Sequence, residues 1–197
     1  DAEALEALER AVAAVDDSVQ PTAAAMVRAA HATLCGRQGH PEQALAGWGA
    51  AVAVLERYGH VSAPLARLNV AQSLLALDRV DEAAGEALRA ERDLSRVGRT
   101  VGVMSAASLL LHAAARQLDR VTVQERLHQV KSLLQTVDLT EPDVCVQLEQ
   151  AADALADVDA ALAGELRRFA ASCWTDLGRP EEAARIASEE VEHESPG

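Results

Sequence analysis

His31 and Cys35 stand four residues apart in an alanine-rich stretch. On a helix that spacing puts an imidazole and a thiol on one face, where they could offer two ligands to a soft metal. Two ligands fall short of the three or four that such a site takes, so the pair reads as a core cysteine beside a partly buried histidine. No other combination supplies catalysis: the chain has no Gly-rich phosphate loop, no Gly-x-Ser-x-Gly, no His-Glu-x-x-His and no zinc-spaced cysteine set. The expectation is a non-enzymatic protein with no cofactor and no metal. Cys35, Cys145 and Cys173 are far apart, odd in number and without a Cys-x-x-Cys pairing, which fits a reducing, cytoplasmic setting.

Charge narrows the choice of partner. The net charge of −13 is uneven: residues 1–88 carry 6 basic against 12 acidic groups, residues 89–131 carry 8 against 4, and residues 132–197 carry 4 against 15. An acidic chain of this kind is a poor phosphate-backbone binder, and no apolar run reaches the length of a membrane span, so neither nucleic acid nor membrane is expected as a partner. Within the basic middle, Arg89, Arg92, Arg96 and Arg99 recur at spacings of three and four. Such a stripe could dock the acidic C-terminal segment of a second copy and build a homo-oligomer. A solvated face balanced by Glu86, Glu91 and Asp93 is the favoured reading.

The elements that must carry these residues are helices. Of the composition, 49% is apolar and only 2% aromatic, so the interior is built from Ala, Leu and Val, which are mostly good helix formers. The punctuation repeats. Gly39-His-Pro-Glu-Gln-Ala44 returns as Gly178-Arg-Pro-Glu-Glu-Ala183, with an intermediate copy at Asp78-Arg-Val-Asp-Glu-Ala83. In each, a helical pattern ends at Gly or Asp and restarts with acidic residues, Gly suiting the left-handed helix end and Pro the first turn of the next helix. The spacing predicts a capping helix over 2–16, stopped at Asp16-Asp17. Hairpins follow at 22–58, 62–97 and 101–137, then an additional helix at 142–157 after Thr140-Glu-Pro that pairs with nothing obvious. A last hairpin covers 159–192, and a polar tail at 193–197 is expected to be disordered. Aligning Gly39 with Asp78 superposes Ala32 on Ala71, Ala44 on Ala83 and Ala51 on Ala90, all at a shift of 39 residues. The third hairpin repeats Leu77-Asp-Arg-Val80 as Leu118-Asp-Arg-Val121 but places Gln124 where Ala83 stands, and so reads as a degenerate copy.

Hairpins that cannot bury their apolar faces alone must stack, which makes residues 1–197 one all-α repeat domain of about ten helices, an α-solenoid. The pattern resembles the tetratricopeptide repeat: a small residue on the first helix, Gly at the turn, and Ala-x-x-x-aromatic on the second. Ala32, Gly39, Ala44, Trp48 and Ala51 carry it in the first hairpin, Ala71, Ala83 and Ala90 in the second, and Ala171, Gly178 and Ala183 in the last. The repeat of 39 exceeds the family's usual 34 or so. Longer helices of this kind resemble variant arrays of bacterial sensor and regulator proteins.

The resemblance implies a right-handed superhelix whose first helices line a concave groove. Carried onto this chain, that geometry points Leu65, Leu68, Asn69 and Gln72, then Leu109, Leu110, Arg116 and Gln117, toward a protein or peptide partner. Leucines would bury its anchors while amides satisfy its backbone. Family members that grip a peptide carboxylate use Lys, Asn and Arg on successive first helices. Asn69 matches, but Ala29 and Thr33 stand where a Lys and an Asn belong, and no such clamp is predicted. The start at Asp1-Ala-Glu, without Met or a leader, reads as a fragment. The alternative function is therefore a ligand-sensing regulatory segment of a larger signalling or transcription-regulator chain.

Overall fold

The computed structural model describes residues 2–15, 18–137 and 141–194, and these form ten α-helices with no strand. They are α1 (Ala2–Ala14), α2 (Pro21–Arg37), α3 (Pro41–Arg57), α4 (Ala63–Ala76), α5 (Val80–Arg96), α6 (Thr100–Arg116), α7 (Arg120–Leu134), α8 (Pro142–Leu155), α9 (Ala160–Asp176) and α10 (Pro180–Glu194). The expected helix stops at Asp16-Asp17 and before Thr140 lie outside the described residues, as do 195–197 of the expected tail, whereas residues 193 and 194 are helical. No described helix is long and apolar enough to cross a membrane.

Backbone packing divides the chain into two compact units, Asp1–Val97 and Gly98–Gly197. In the first, α1 packs on α2, and α2 through α5 pack each on the next. Small residues set how closely they approach. A Cβ on Gly47 of α3 would fall 2.8 Å from the Cβ of Ala32 on α2, closer than real side chains come, so this crossing requires the glycine. Arg67 of α4 ties the same unit together through charge, bonding to Glu56 of α3 and Glu86 of α5.

The hairpin turns share one geometry. Gly39, Asp78, Leu118 and Gly178 all have positive φ, and the residue after each returns its N–H to the carbonyl five back. These bonds run from His40 to Cys35, Arg79 to Leu74, Asp119 to Ala114 and Arg179 to Trp174, each at 2.9 Å, and they satisfy carbonyls that a helix end leaves without partners. The third turn corrects the sequence register by one residue. Leu118, not Asp119, occupies the place of Asp78, and Asp119 instead caps α7 by accepting from Thr122 N at 3.1 Å. With that shift the counterparts of Ala32 and Ala71, Ala44 and Ala83, and Ala51 and Ala90 are Leu111, Val123 and Val130, all buried. The third hairpin is thus a full copy written in larger side chains.

A leucine held at φ 58° is strained, because its Cβ crowds the following carbonyl, at roughly 1–2 kcal/mol. Leu118 is 48% exposed, so little burial is lost with the side chain. Leu118→Gly should therefore stabilise the chain by about 0.5–1 kcal/mol after the added backbone freedom of the unfolded chain is subtracted. The check is a higher urea midpoint at an unchanged slope; an unmoved midpoint would mean the turn holds no strain.

In the second unit α6 packs on α7 and on α8, α8 on α9, and α9 on α10. The helix that sequence leaves without a partner is thus flanked on two sides. Its Leu148 and Leu155 are fully buried in one core with Leu111, Val130, Leu166 and Ile186. Polar links frame that core. Lys131 of α7 bonds to Glu165 of α9 at 2.7 Å and lies 5.2 Å from the Phe169 ring centre, while Glu149 of α8 accepts from Trp174 Nε1 of α9 at 2.6 Å and from Arg185 of α10.

Candidate functional site

On α4 the residues left open fall on one stripe. Leu65, Asn69 and Gln72 are half-buried and Ala76 is exposed, at the spacings of three and four that align side chains along a helix. The opposite side of α4 is spent on packing and on Arg67, and Leu68 goes with the interior at 8% exposure. Asn69 Nδ2 donates to the Leu65 carbonyl at 3.2 Å, and the Asn69 carbonyl accepts from Ser73 Oγ at 2.8 Å. Only the first of these bonds holds the Asn69 side chain; the second is accepted by its backbone. Among the described residues the Gln72 amide has no hydrogen-bond partner. On α2, Ala29 is buried and accepts from Thr33 Oγ1 at 2.9 Å, so those two positions present no cation or amide.

Helix α6 is different. Leu109 and Leu110 are buried, at 5% and 6% exposure, and only its C-terminal end, with Arg116 and Gln117, is exposed. What accompanies the leucines is a polar seam along α6 and α8, which sequence reasoning missed. Ser105 Oγ donates to Glu141 Oε2 at 3.1 Å, and His112 Nδ1 meets Gln147 Oε1 at 2.7 Å. These levels advance in the same direction on both helices, so α6 and α8 run parallel. A carboxamide oxygen can only accept, so Nδ1 of His112 carries the proton and donates. Ser108 lies one turn before His112 but donates to the Ser105 carbonyl at 2.9 Å, so its hydroxyl is tied to its own helix. Farther along, Arg167 of α9, nearly buried, bonds to Asp153 of α8 at 3.1 Å. A signal for this seam exists in the sequence: Ser105, Ser108 and His112 share one face of an otherwise apolar run.

Burial pushes the His112 imidazole below its ordinary value of 6.5, and the Arg116 charge adds to that, while the bond to Gln147 and the Asp153 carboxylate oppose it. Near and below 6.5 the unfolded chain takes up a proton that the folded chain resists, so the folded state loses ground as pH falls. The contribution is complete above the ordinary value, falls with decreasing pH, and levels off below the depressed folded value. Urea midpoints between pH 8 and pH 5.5 should drop, and His112→Gln should flatten that part of the profile; an unchanged slope in the variant would remove His112 as the cause.

His31 lies with its ring nitrogens 3.7 and 3.8 Å from Cys35 Sγ, and burial raises the Cys35 thiol above its ordinary range. Among the described residues no three His, Cys, Asp or Glu side chains come together as metal ligands would. In the arginine stripe, Arg89 bonds to Glu86 at 2.8 Å, Arg96 to Asp93 at 2.9 Å, and Arg92 Nε to the Leu88 carbonyl at 3.3 Å. Arg99 is exposed at the start of α6.

No protein-family model matches this chain, and no curated protein does. Among solved structures it is similar to two crystal structures of nearly identical TPR-like repeats from Podosopora anserina, described as a kinesin light chain, one of them a substituted form. Identity is 15% to each, 97% of this chain and 85% of the other are covered, and the TM-scores are 0.54 and 0.52. Identity that low speaks for the fold alone: an all-α, tetratricopeptide-like helical-repeat fold.

Proposed function

Proceeding from a tetratricopeptide-like repeat fold, we propose that this chain is a non-enzymatic scaffold that holds an extended peptide or a helix of a protein partner. Its contact is the open face of the first helix of a hairpin. The observation that carries the reading is the stripe of Leu65, Asn69 and Gln72 on α4, where an apolar side chain stands beside amides that the fold only partly uses. A peptide backbone laid along it would find an acceptor and donors at Gln72 and Asn69, and an apolar anchor would cover Leu65. In the second unit Arg116 and Gln117 are the exposed residues of the expected set, whereas Leu109 and Leu110 there, and Leu68 in the first unit, are buried.

A displayed library of random peptides is the direct test. Peptides enriched on the intact chain should bind about fivefold more weakly to Asn69→Ala and to Gln72→Ala, since one net hydrogen bond is worth roughly 1 kcal/mol. If enriched peptides bind both variants and Leu65→Ser as well as the parent, the α4 face is not the site. For the arginine stripe we favour a solvated face over docking to a second copy, because Arg89 and Arg96 already bond to carboxylates of their own helix. Sedimentation should give the same mass at low and high salt; a dimer that dissolves with salt would reinstate the docking.

A further inference from the structure

The partner-binding reading leaves two cysteines of the second unit unused, and they share one core. Cys145 sits in the first turn of α8 and Cys173 in the last turn of α9, at the same end of two adjacent antiparallel helices. Neither is bridged, both are buried at 0% and 2% exposure, and both belong to the one apolar core of this unit. Cys145 Sγ also lies 3.9 Å from the Glu141 carbonyl oxygen, at the very start of its helix. Buried cysteines often serve only as small apolar side chains. Two of them buried in one core, at the same end of packed neighbouring helices, are placed for an S–S bond, which needs the sulfurs brought to about 2.0 Å.

We propose that Cys145 and Cys173 form a reversible disulfide on exposure to a peroxide-class oxidant, clamping the start of α8 to the end of α9. This goes beyond the scaffold reading and does not depend on it. The attacking sulfur is Cys173, because the Cys145 thiol directs its one proton to the Glu141 carbonyl oxygen and so keeps it until the second step. The Cys173 sulfur attacks a peroxide oxygen, the O–O bond breaks, and the departing hydroxide takes up the thiol proton to leave as water. The Cys145 sulfur then attacks the resulting sulfenic sulfur: the S–S bond forms, the S–O bond breaks, and the second water departs with the Cys145 proton. Two thiols lose two electrons and two protons, and the peroxide is reduced to two waters. Hydrogen peroxide is close to water in size, and helix ends open locally more readily than helix centres, so the terminal placement of both cysteines gives the oxidant its entry.

The test uses the intact chain carrying Cys35→Ser, so that only this pair can react. After hydrogen peroxide the intact mass should fall by two hydrogens, and non-reduced tryptic digestion should join residues 132–167 to residues 169–185, since the bond before Pro180 resists trypsin. Dithiothreitol should reverse both changes, and the midpoint of thermal unfolding should rise by about 5–10 °C while the bond stands, as a closed loop of this length warrants. The same map on the unsubstituted chain needs no variant to fold and should show the same joined peptides. Sulfinic acid on either cysteine without a cross-link would overturn the proposal. So would a cross-link that forms only in urea, or one that leaves thermal unfolding unmoved.

Discussion

Leu148→Ala should lower stability by about 3–4 kcal/mol, near the middle of the range for emptying a fully buried leucine site. Leu148 is 0% exposed on α8, the helix that packs against both α6 and α9, so the cavity opens where two interfaces meet. The surroundings are Leu, Val and Ala held on separate helices, and a hole bordered by several elements closes less completely than one at an edge. Lost transfer and residual cavity therefore add. Hydrogen exchange gives the reading: amides of α6, α8 and α9 protected by opening of this core should exchange several hundredfold faster, at about 1.4 kcal/mol per factor of ten. A loss under 1 kcal/mol, with protection intact, would mean that α8 is not the centre of the unit.

Arg67→Ala should cost about 2–3 kcal/mol in the first unit, somewhat less than the roughly 3–5 kcal/mol of breaking a fully buried pair. Its side chain is 16% exposed and lies between Glu56 and Glu86, whose side chains are 40% and 20% exposed. Removal leaves Glu86 with Arg89 still bound at 2.8 Å, and leaves Glu56 to the solvent, which is why the full penalty of an isolated buried charge does not apply. The guanidinium is itself imperfectly held, because its Nε is buried with no partner. Arg67→Met, which restores the apolar stem and removes that orphan donor, should fall within about 1 kcal/mol of the parent. Urea unfolding of the two variants side by side decides it. Equal losses would assign the effect to the lost charge rather than to packing volume.

Helix positions were legible in the sequence because their punctuation has local causes. Gly39 and Gly178 end helices by adopting a conformation that other residues resist, and Pro41, Pro142 and Pro180 stand in first turns where a missing N–H goes unnoticed. The third turn was read one residue late for the same reason. Leu118 carries no mark of a left-handed residue, and Leu77-Asp-Arg-Val80 has the look of Leu118-Asp-Arg-Val121 although the backbones differ by one step. The candidate site was less legible. Leucines on a first helix suit a groove or an interior equally well, and burial of Leu68, Leu109 and Leu110 is decided by which neighbours arrive. The bond from His112 to Gln147 spans 35 residues, and no local pattern encodes such a meeting. A parallel pair of helices gives such buried polar side chains one another as partners.

The hairpin turns at 38–40, 77–79, 117–119 and 177–179 each span three residues between helices. One added residue there would rotate the following helix by about 100° about its own axis, since 3.6 residues complete a turn. Ala44 and Ala51 would swing out of the interior together, and larger neighbours would swing in. Evolution can lengthen the joints between successive hairpins, as the five-residue link over 58–62 illustrates, but inside a hairpin the count is fixed by angular phase. Grafted loops, tags or sensor insertions therefore belong at 58–62 and not at the tight corners.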